Sequence, residues 1–184
     1  MPTAMKKDFS KPLSETLLVV IDMQKDFIQG SLSTPEAKEI VDRVAKKIAN
    51  HTGPIAYTMD THDQHYLDTS EGRHLPVRHC IQGEEGHELI EPLKRLLQTA
   101  KGFEKPTFGS VPLATYIAEN QAIQQVELIG VCTDICVVSN ALLIKAMSPE
   151  IPISVDASCC AGTTVENHLA ALQTMRSCQI EVFS

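Results

Sequence analysis

Cys136 sits in the run GVCTDICVV, where β-branched residues give way to a helical pattern. A cysteine in the first turn of a helix meets free backbone N–H groups and the positive end of the helix dipole, and both favour thiolate. The same N–H groups can stabilise the oxyanion that forms when a thiolate attacks a carbonyl. Such a thiolate needs a cation beside it and a group to carry its proton. Asp22 ends the apolar run VVID, and Lys105 ends another short run just before Pro106. Asp22 would accept the thiol proton and later give it to a departing amine, with Lys105 as the cation. Taken singly, a free cysteine is usually a small buried hydrophobe and a lysine a surface group. Together, at the ends of separate runs, the three residues point to nucleophilic catalysis.

A second group has the types of a metal site. Asp60 and His62 form D-x-H at the end of a run, and alternate residues of a strand face the same side. His79, in RHC, adds a third donor. Two imidazoles and a carboxylate with positions left open form the ligand set of a catalytic zinc site, which iron or manganese also fits. The competing reading is a solvated histidine-rich loop. His65 and His74 lie in the same polar stretch and are expected at the surface.

These side chains meet only if the elements carrying them place them at one edge. Short β-branched runs at 17–21, 54–59, 101–105, 126–131, 151–155 and 180–183 read as buried strands. Helical patterns lie between most of them. One begins at Thr34-Pro35 with Ile40, Val41, Val44 and Ile48 on a face, and a second carries Leu89, Leu93, Leu96 and Leu97. Leu113 and Ile117 mark a short helix, 135–147 is apolar nearly all round, and Leu169, Leu172 and Met175 share a face of the last helix. The expected fold is α/β: a three-layer α/β/α arrangement of right-handed βαβ units on a six-stranded, mainly parallel sheet of Rossmann-like order. Ligands of such sheets bind beyond the carboxyl ends of the strands. Asp22, Asp60, His62, Lys105, Thr133 to Cys136 and Asp156 are all expected at that edge. Cys159-Cys160 is read as two ordinary thiols in a strand-to-helix loop, and Cys80 as a packed residue.

The segments VVIDMQKDFIQG, TMDTHD, PVRHCIQGEEGHEL, FEKPTF and GVCTDICVVSNA together resemble the isochorismatase-like cysteine hydrolases, and within them the nicotinamidases (pyrazinamidases). The resemblance runs over nearly the whole chain. It implies that Asp22, Lys105 and Cys136 form a catalytic triad. It also implies a cis peptide before Cys132, whose N–H joins that of Cys136 in an oxyanion hole. Asp60, His62 and His79 would hold a divalent metal, zinc foremost, that orients the pyridine ring of nicotinamide. Glu71 resembles a further acidic position near that metal, acting through water. The implied reaction is nicotinamide plus water to nicotinate plus ammonia. Two departures bear on the substrate. Thr61 stands between the metal Asp and His where many members have an aromatic, and Pro106-Thr107-Phe108-Gly109 replaces a Ser-Ala-Phe element. Phe27, Phe108 and Val131 are the candidate substrate contacts.

Composition narrows the rest. The 184 residues carry 16 Lys+Arg against 23 Asp+Glu, a net charge of −7 that supplies no basic stripe for nucleic acid. With 43% hydrophobic and 21% charged residues the chain is globular, and residues 1–184 are expected to form a single domain. No apolar run is long enough for a membrane span, and MPTAMKKDFSKPLSE has no hydrophobic stretch of a secretory signal, so a cytoplasmic protein with reduced thiols is expected. The resemblance implies a small-molecule amide as the partner, and a homo-oligomer. Two alternatives stay open: a metal-free carbamoyl or ureido amidohydrolase, and a non-catalytic binding member.

Overall fold

The computed structural model describes residues 16–184; the stretch MPTAMKKDFSKPLSE, read above for a signal, lies outside the described residues. The strands are β1 Thr16–Ile21, β2 Ile55–Asp60, β3 Lys101–Lys105, β4 Gln125–Val131, β5 Ile153–Ala161 and β6 Glu181–Phe183. They form one six-stranded sheet of order β3-β2-β1-β4-β5-β6, with every neighbouring pair parallel. The helices are α1 Lys25–Ile28, α2 Pro35–Glu39, α3 Val41–Asn50, α4 Ser70–His74, α5 Leu93–Leu96, α6 Val111–Glu119, α7 Val138–Met147 and α8 Val165–Ser177.

All of β1 is buried because its apolar side chains serve both faces of the sheet. Leu17, Val19 and Ile21 pack with Leu113, Ile117, Ala141, Ile144, Leu172 and Met175 of α6, α7 and α8. Leu18 and Val20 pack on the other side with Phe27, Val44, Ile48 and Leu93. The two clusters make the α/β/α layers expected from the alternation of runs. Among the described residues no helix is long and apolar enough to cross a membrane.

Several elements differ from the sequence reading. The helix expected from Thr34 onward is two: Thr34 caps α2, accepting from Ala37 N at 3.1 Å, and α3 restarts after Ile40. Only Leu93–Leu96 of the Leu-rich segment is α-helical, starting after Pro92 at its N-cap and closing at Leu97. Leu96 is left 37% exposed, and Leu169 on α8 is 58% exposed, its place on the buried face taken by Ala171. β5 continues to Ala161 past a register shift between Leu128 and Gly130, so Cys159 and Cys160 are strand residues rather than loop residues. That extension also moves Asp156 away from the strand end. Its carboxylate meets Lys47 of α3 at 2.8 Å instead of the carboxyl edge of the sheet.

The strand order reverses between β1 and β4, which makes a crevice at their carboxyl ends. Gly130, at φ 120°, allows the close approach there: a Cβ would collide with the Ile21 carbonyl. Asp22 follows β1 at this point, and the turn holding Cys136 follows β4.

Candidate active site

Asp22 turns the chain out of β1 with φ 47°, a left-handed conformation that aspartate tolerates better than most residues. Its Oδ1 accepts from Thr58 Oγ1 at 2.6 Å. Its Oδ2 lies 2.7 Å from Lys105 Nζ as an ion pair, without an aligned hydrogen bond. Both side chains are fully buried. The Lys105 ammonium also donates to Asp60 Oδ1 at 3.2 Å and to Cys136 Sγ at 3.4 Å. One cation is therefore the common neighbour of the sulfur and both carboxylates.

Burial dominates the electrostatics of the group. It raises the Cys136 thiol well above its ordinary range; the Asp22 charge adds to this and Lys105 opposes it. Asp22 is raised by burial against the pull of the Lys105 charge and the Thr58 hydrogen bond. Burial by itself would lower Lys105, but the Asp22, Cys136 and Asp60 charges outweigh it and hold the ammonium above its usual range. A protonated thiol beside a fixed cation and a carboxylate that titrates high is a proton-sharing set suited to nucleophilic chemistry.

Cys136 lies in a π-helical turn, Thr133–Val137, that leads into α7. π turns recur at functional sites. Val137 N bonds Cys132 O at 3.0 Å, and Asn140 Nδ2 bonds Cys136 O at 2.8 Å. The Val131–Cys132 peptide is cis, as the resemblance implied.

Beside Asp22, Lys105 and Cys136, the residues Asp60, His62, Glu71 and His79 bring one ligand atom each to within 4.8 Å of one another. His62 Nε2 is 2.9 Å and His79 Nε2 3.4 Å from Asp60 Oδ2, and Glu71 Oε1 is 3.7 and 3.8 Å from the same two nitrogens. Val77 O, 2.8 Å from His79 Nδ1, turns the other ring nitrogen toward the group. Burial would raise Asp60, but hydrogen bonds from His62 and His79 and the Lys105 charge pull it well below the carboxylate range. Glu71 is raised by burial and by Asp60. Two imidazoles with two carboxylates is a donor set that fits a divalent metal.

A cavity of about 340 Å³ opens over both groups. Phe27, Phe108, Cys132 and Cys136 line it together with Asp60, Glu71 and His79. Val131 does not: its side chain, 1% exposed, packs in the core beside Leu18. Thr61 is tied back, its Oγ1 bonding Met59 O at 3.1 Å and lying 2.9 Å from His87 Nε2. His65 and His74 are exposed, Cys80 is buried, and all six cysteines are free.

The family model of the isochorismatase domain matches residues 16–184. The chain belongs to the isochorismatase family. Among curated members it is 25% identical over 186 residues to the nicotinamidase/pyrazinamidase of Mycobacterium tuberculosis, covering 90% of this chain and 96% of that protein. Among solved structures it is similar to the pyrazinamidase of Pyrococcus horikoshii in complex with zinc, at TM-score 0.79 and 27% identity, covering 92% of this chain and 99% of the other. It is also similar to N-carbamoylsarcosine amidase from Thermoplasma acidophilum, at TM-score 0.73 and 28% identity, covering 91% and 95%.

In this isochorismatase-family chain several supporting residues escaped the sequence reading. Gln24, fully buried, accepts from Asp60 N and donates to Asp60 O and His87 O, each at 2.8 Å. Tyr66 packs tilted against His62 and edge-on to His79 with centroids 4.7 and 4.9 Å away, and its hydroxyl donates to Leu75 O at 2.9 Å. Burial pushes that hydroxyl up to about 12. Asn140 bonds Phe108 O, Ser110 N and Cys136 O, which ties the Phe108 loop to the turn holding Cys136. Gln24 stands inside the DMQ motif; Asn140 follows Cys136 by one helical turn, a spacing that could have signalled a shared face.

Proposed function

We propose that the protein is an amidohydrolase that converts a neutral heteroaryl amide of the nicotinamide type to its acid and ammonia, with Cys136 as nucleophile. The observation that carries this is the contact of one buried ammonium, Lys105, with Cys136, Asp22 and Asp60. Lys105 stabilises the developing thiolate as Asp22 takes the thiol proton. The sulfur attacks the amide carbon, and the N–H groups of Cys132 and Cys136 hold the oxyanion. Asp22 returns the proton to nitrogen, ammonia leaves, and water then cleaves the thioester on Cys136.

Asp60, His62 and His79 would hold a divalent metal, zinc foremost, with Glu71 beside them. Such an ion supplies a Lewis acid and a template for a substrate heteroatom. The named relatives support this reading, being a nicotinamidase/pyrazinamidase and a pyrazinamidase with zinc.

The carbamoylsarcosine amidase neighbour favours a second reading, hydrolysis of an N-carbamoyl amino acid. Such a substrate carries a carboxylate. Among the described residues the cavity lining has Asp60 and Glu71 but no arginine or lysine to receive it. A carboxylate would have to compete for the metal itself, so the lining favours the neutral amide. Ammonia release from nicotinamide and from N-carbamoylsarcosine, with zinc and after chelation, tests the choice: faster turnover of the carbamoyl compound would reverse it.

A further inference from the structure

The last helix reaches back to the turn that holds Cys136. Thr164 caps α8, accepting from Asn167 N at 3.1 Å, and His168 stands one turn further on. Leu172 and Met175, four and seven residues after His168, are buried in the core, so His168 heads the inward face of the helix. There its Nδ1 lies 2.8 Å from Oγ1 of Thr133, the first residue of the π turn. Thr133 is fully buried, and a buried hydroxyl needs a partner. Among the described residues that hydroxyl is hydrogen-bonded to His168 alone. The next residue of the turn is gripped from the same place: Asp134 accepts from Thr163 N at 2.8 Å and from Thr163 Oγ1 at 2.5 Å. Gly162 permits this approach, since a Cβ there would stand 2.8 Å from Asp134 Oδ1 and 2.9 Å from His168 Cβ. His168 does not line the cavity over Cys136 but a separate one of about 220 Å³. Any part it takes in the reaction therefore passes through Thr133.

We propose that His168 is a positioning residue for the oxyanion hole: through the Thr133 hydroxyl it fixes the turn that aims the N–H groups of Cys132 and Cys136. This rests on the amidohydrolase reading above and adds a residue to it. Cys132 immediately precedes Thr133 and Cys136 follows it by three residues, so the turn anchored at Thr133 carries both donors. Such donors help only while their direction is held, and the charge they meet develops only in the transition state. Loss of the anchor is then felt in kcat and not in KM.

The test follows ammonia release from nicotinamide by the zinc-loaded protein. His168→Ala should lower kcat roughly 10-fold to 100-fold, the scale for a small misplacement within a preorganised site, and leave KM within about threefold. His168→Asn, whose amide offers both a donor and an acceptor near the place of Nδ1, should recover most of the loss. Thr133→Val removes the hydroxyl from the other side of the bond. The double variant should be no slower than the slower single one, whereas losses that multiply would mean that His168 acts elsewhere. Two further measurements separate positioning from folding. Pyridine-3-carbaldehyde adds to the Cys136 thiol: the carbonyl carbon bonds sulfur, and the oxygen takes the thiol proton in the oxyanion hole. It should bind the His168→Ala protein at least about 10-fold more weakly. Iodoacetamide alkylates the same sulfur at a saturated carbon without forming an oxyanion, and its rate at Cys136 should be unchanged. A variant that melts lower but keeps the parent kcat, or one whose alkylation slows in step with kcat, would overturn this inference and leave the amidohydrolase reading standing. A wild-type protein that releases no ammonia would overturn both.

Discussion

Asp60 divides its carboxylate between the two halves of the site: Oδ1 is 3.2 Å from Lys105 Nζ, whereas Oδ2 is 2.9 Å from His62 Nε2. Asp60 therefore belongs both to the group with His62 and His79 and to the group in which Lys105 meets Cys136 and Asp22. Purified protein is expected to hold a divalent metal by elemental analysis. Chelation should lower ammonia release and added zinc restore it. Asp60→Asn should weaken metal retention by roughly 10-fold to 100-fold or more, the scale for perturbing a ligand shell. Full activity in a metal-free preparation would remove Asp60, His62 and His79 from the reaction.

Replacing Cys136 with alanine removes the sulfur but leaves Lys105 paired with Asp22 and Asp60. Turnover should fall by roughly 10⁵–10⁶-fold, the scale for deleting the nucleophile of a cooperating triad. The circular dichroism spectrum and melting temperature should stay near those of the wild type. A variant that still releases ammonia at a tenth of the parent rate would mean another nucleophile.

Asp22 must be ionised to accept the thiol proton, and burial raises its pKa. As pH falls through a raised pKa the carboxylate protonates and the base is lost. The kcat/KM profile should therefore drop on its acid side above the ordinary carboxylate range, not within it. Lys105 is held above its usual range, so its deprotonation should cause no alkaline loss below pH ~10. Asp22→Asn should lower kcat/KM by roughly 10²–10⁴-fold and abolish the acid limb. Retention of that limb in the Asn variant would assign it to a different group.

The strand ends were legible because VVID, TMDTHD and GVCTDIC each join an apolar run to polar residues, and such junctions mark the carboxyl edge of a parallel sheet. The second half of β5 was not. ASCCA lacks the β-branched residues that announce a strand, and its pairing with β4 resumes only after the register shift. Asp156 was misplaced with it. The roles of Gln24 and Asn140 were hidden for another reason: their partners are backbone groups, most of them far along the chain, and a backbone N–H or C=O leaves no mark of its partner in a sequence. Leu169 and Leu96 kept helical spacing yet face outward, since periodicity gives a face without saying how far it extends.

Gln24 offers a test of positioning without touching the reacting atoms. Its amide satisfies Asp60 N, Asp60 O and His87 O at once. Gln24→Ala leaves these buried groups short of partners, at a cost of about 1–3 kcal/mol for each one left unsatisfied. It should also loosen the strand end carrying Asp60 and weaken zinc binding by roughly 10-fold to 100-fold. Zinc titration and thermal unfolding, measured on the same preparation, should move together. Unchanged zinc affinity in a destabilised variant would confine Gln24 to the fold.

Lys47 supplies a control outside the cavity. Its ammonium lies 2.5 Å from Glu127 Oε1 and 2.8 Å from Asp156 Oδ2, and those two side chains are only 7% and 8% exposed. Removing one partner of a buried ion pair costs about 3–5 kcal/mol. Lys47 itself is 26% exposed, so water can partly replace it. Lys47→Met should therefore destabilise the protein by roughly 2–3 kcal/mol, below that range, while kcat/KM for the amide stays unchanged. The cluster also sets a pH dependence. Burial tends to raise Asp156, but the Lys47 and Ser158 hydrogen bonds and the Lys47 charge hold it below its usual value. A carboxylate depressed in the folded state adds stability that is present above its unfolded pKa and is lost as pH falls toward the folded one. Urea unfolding between pH 7 and pH 3 should show the wild type losing this increment below about pH 4, near the unfolded aspartate value. In Lys47→Met the loss should be smaller, because the cation that depresses Asp156 is gone. Parallel curves for the two proteins across that interval would contradict the assignment.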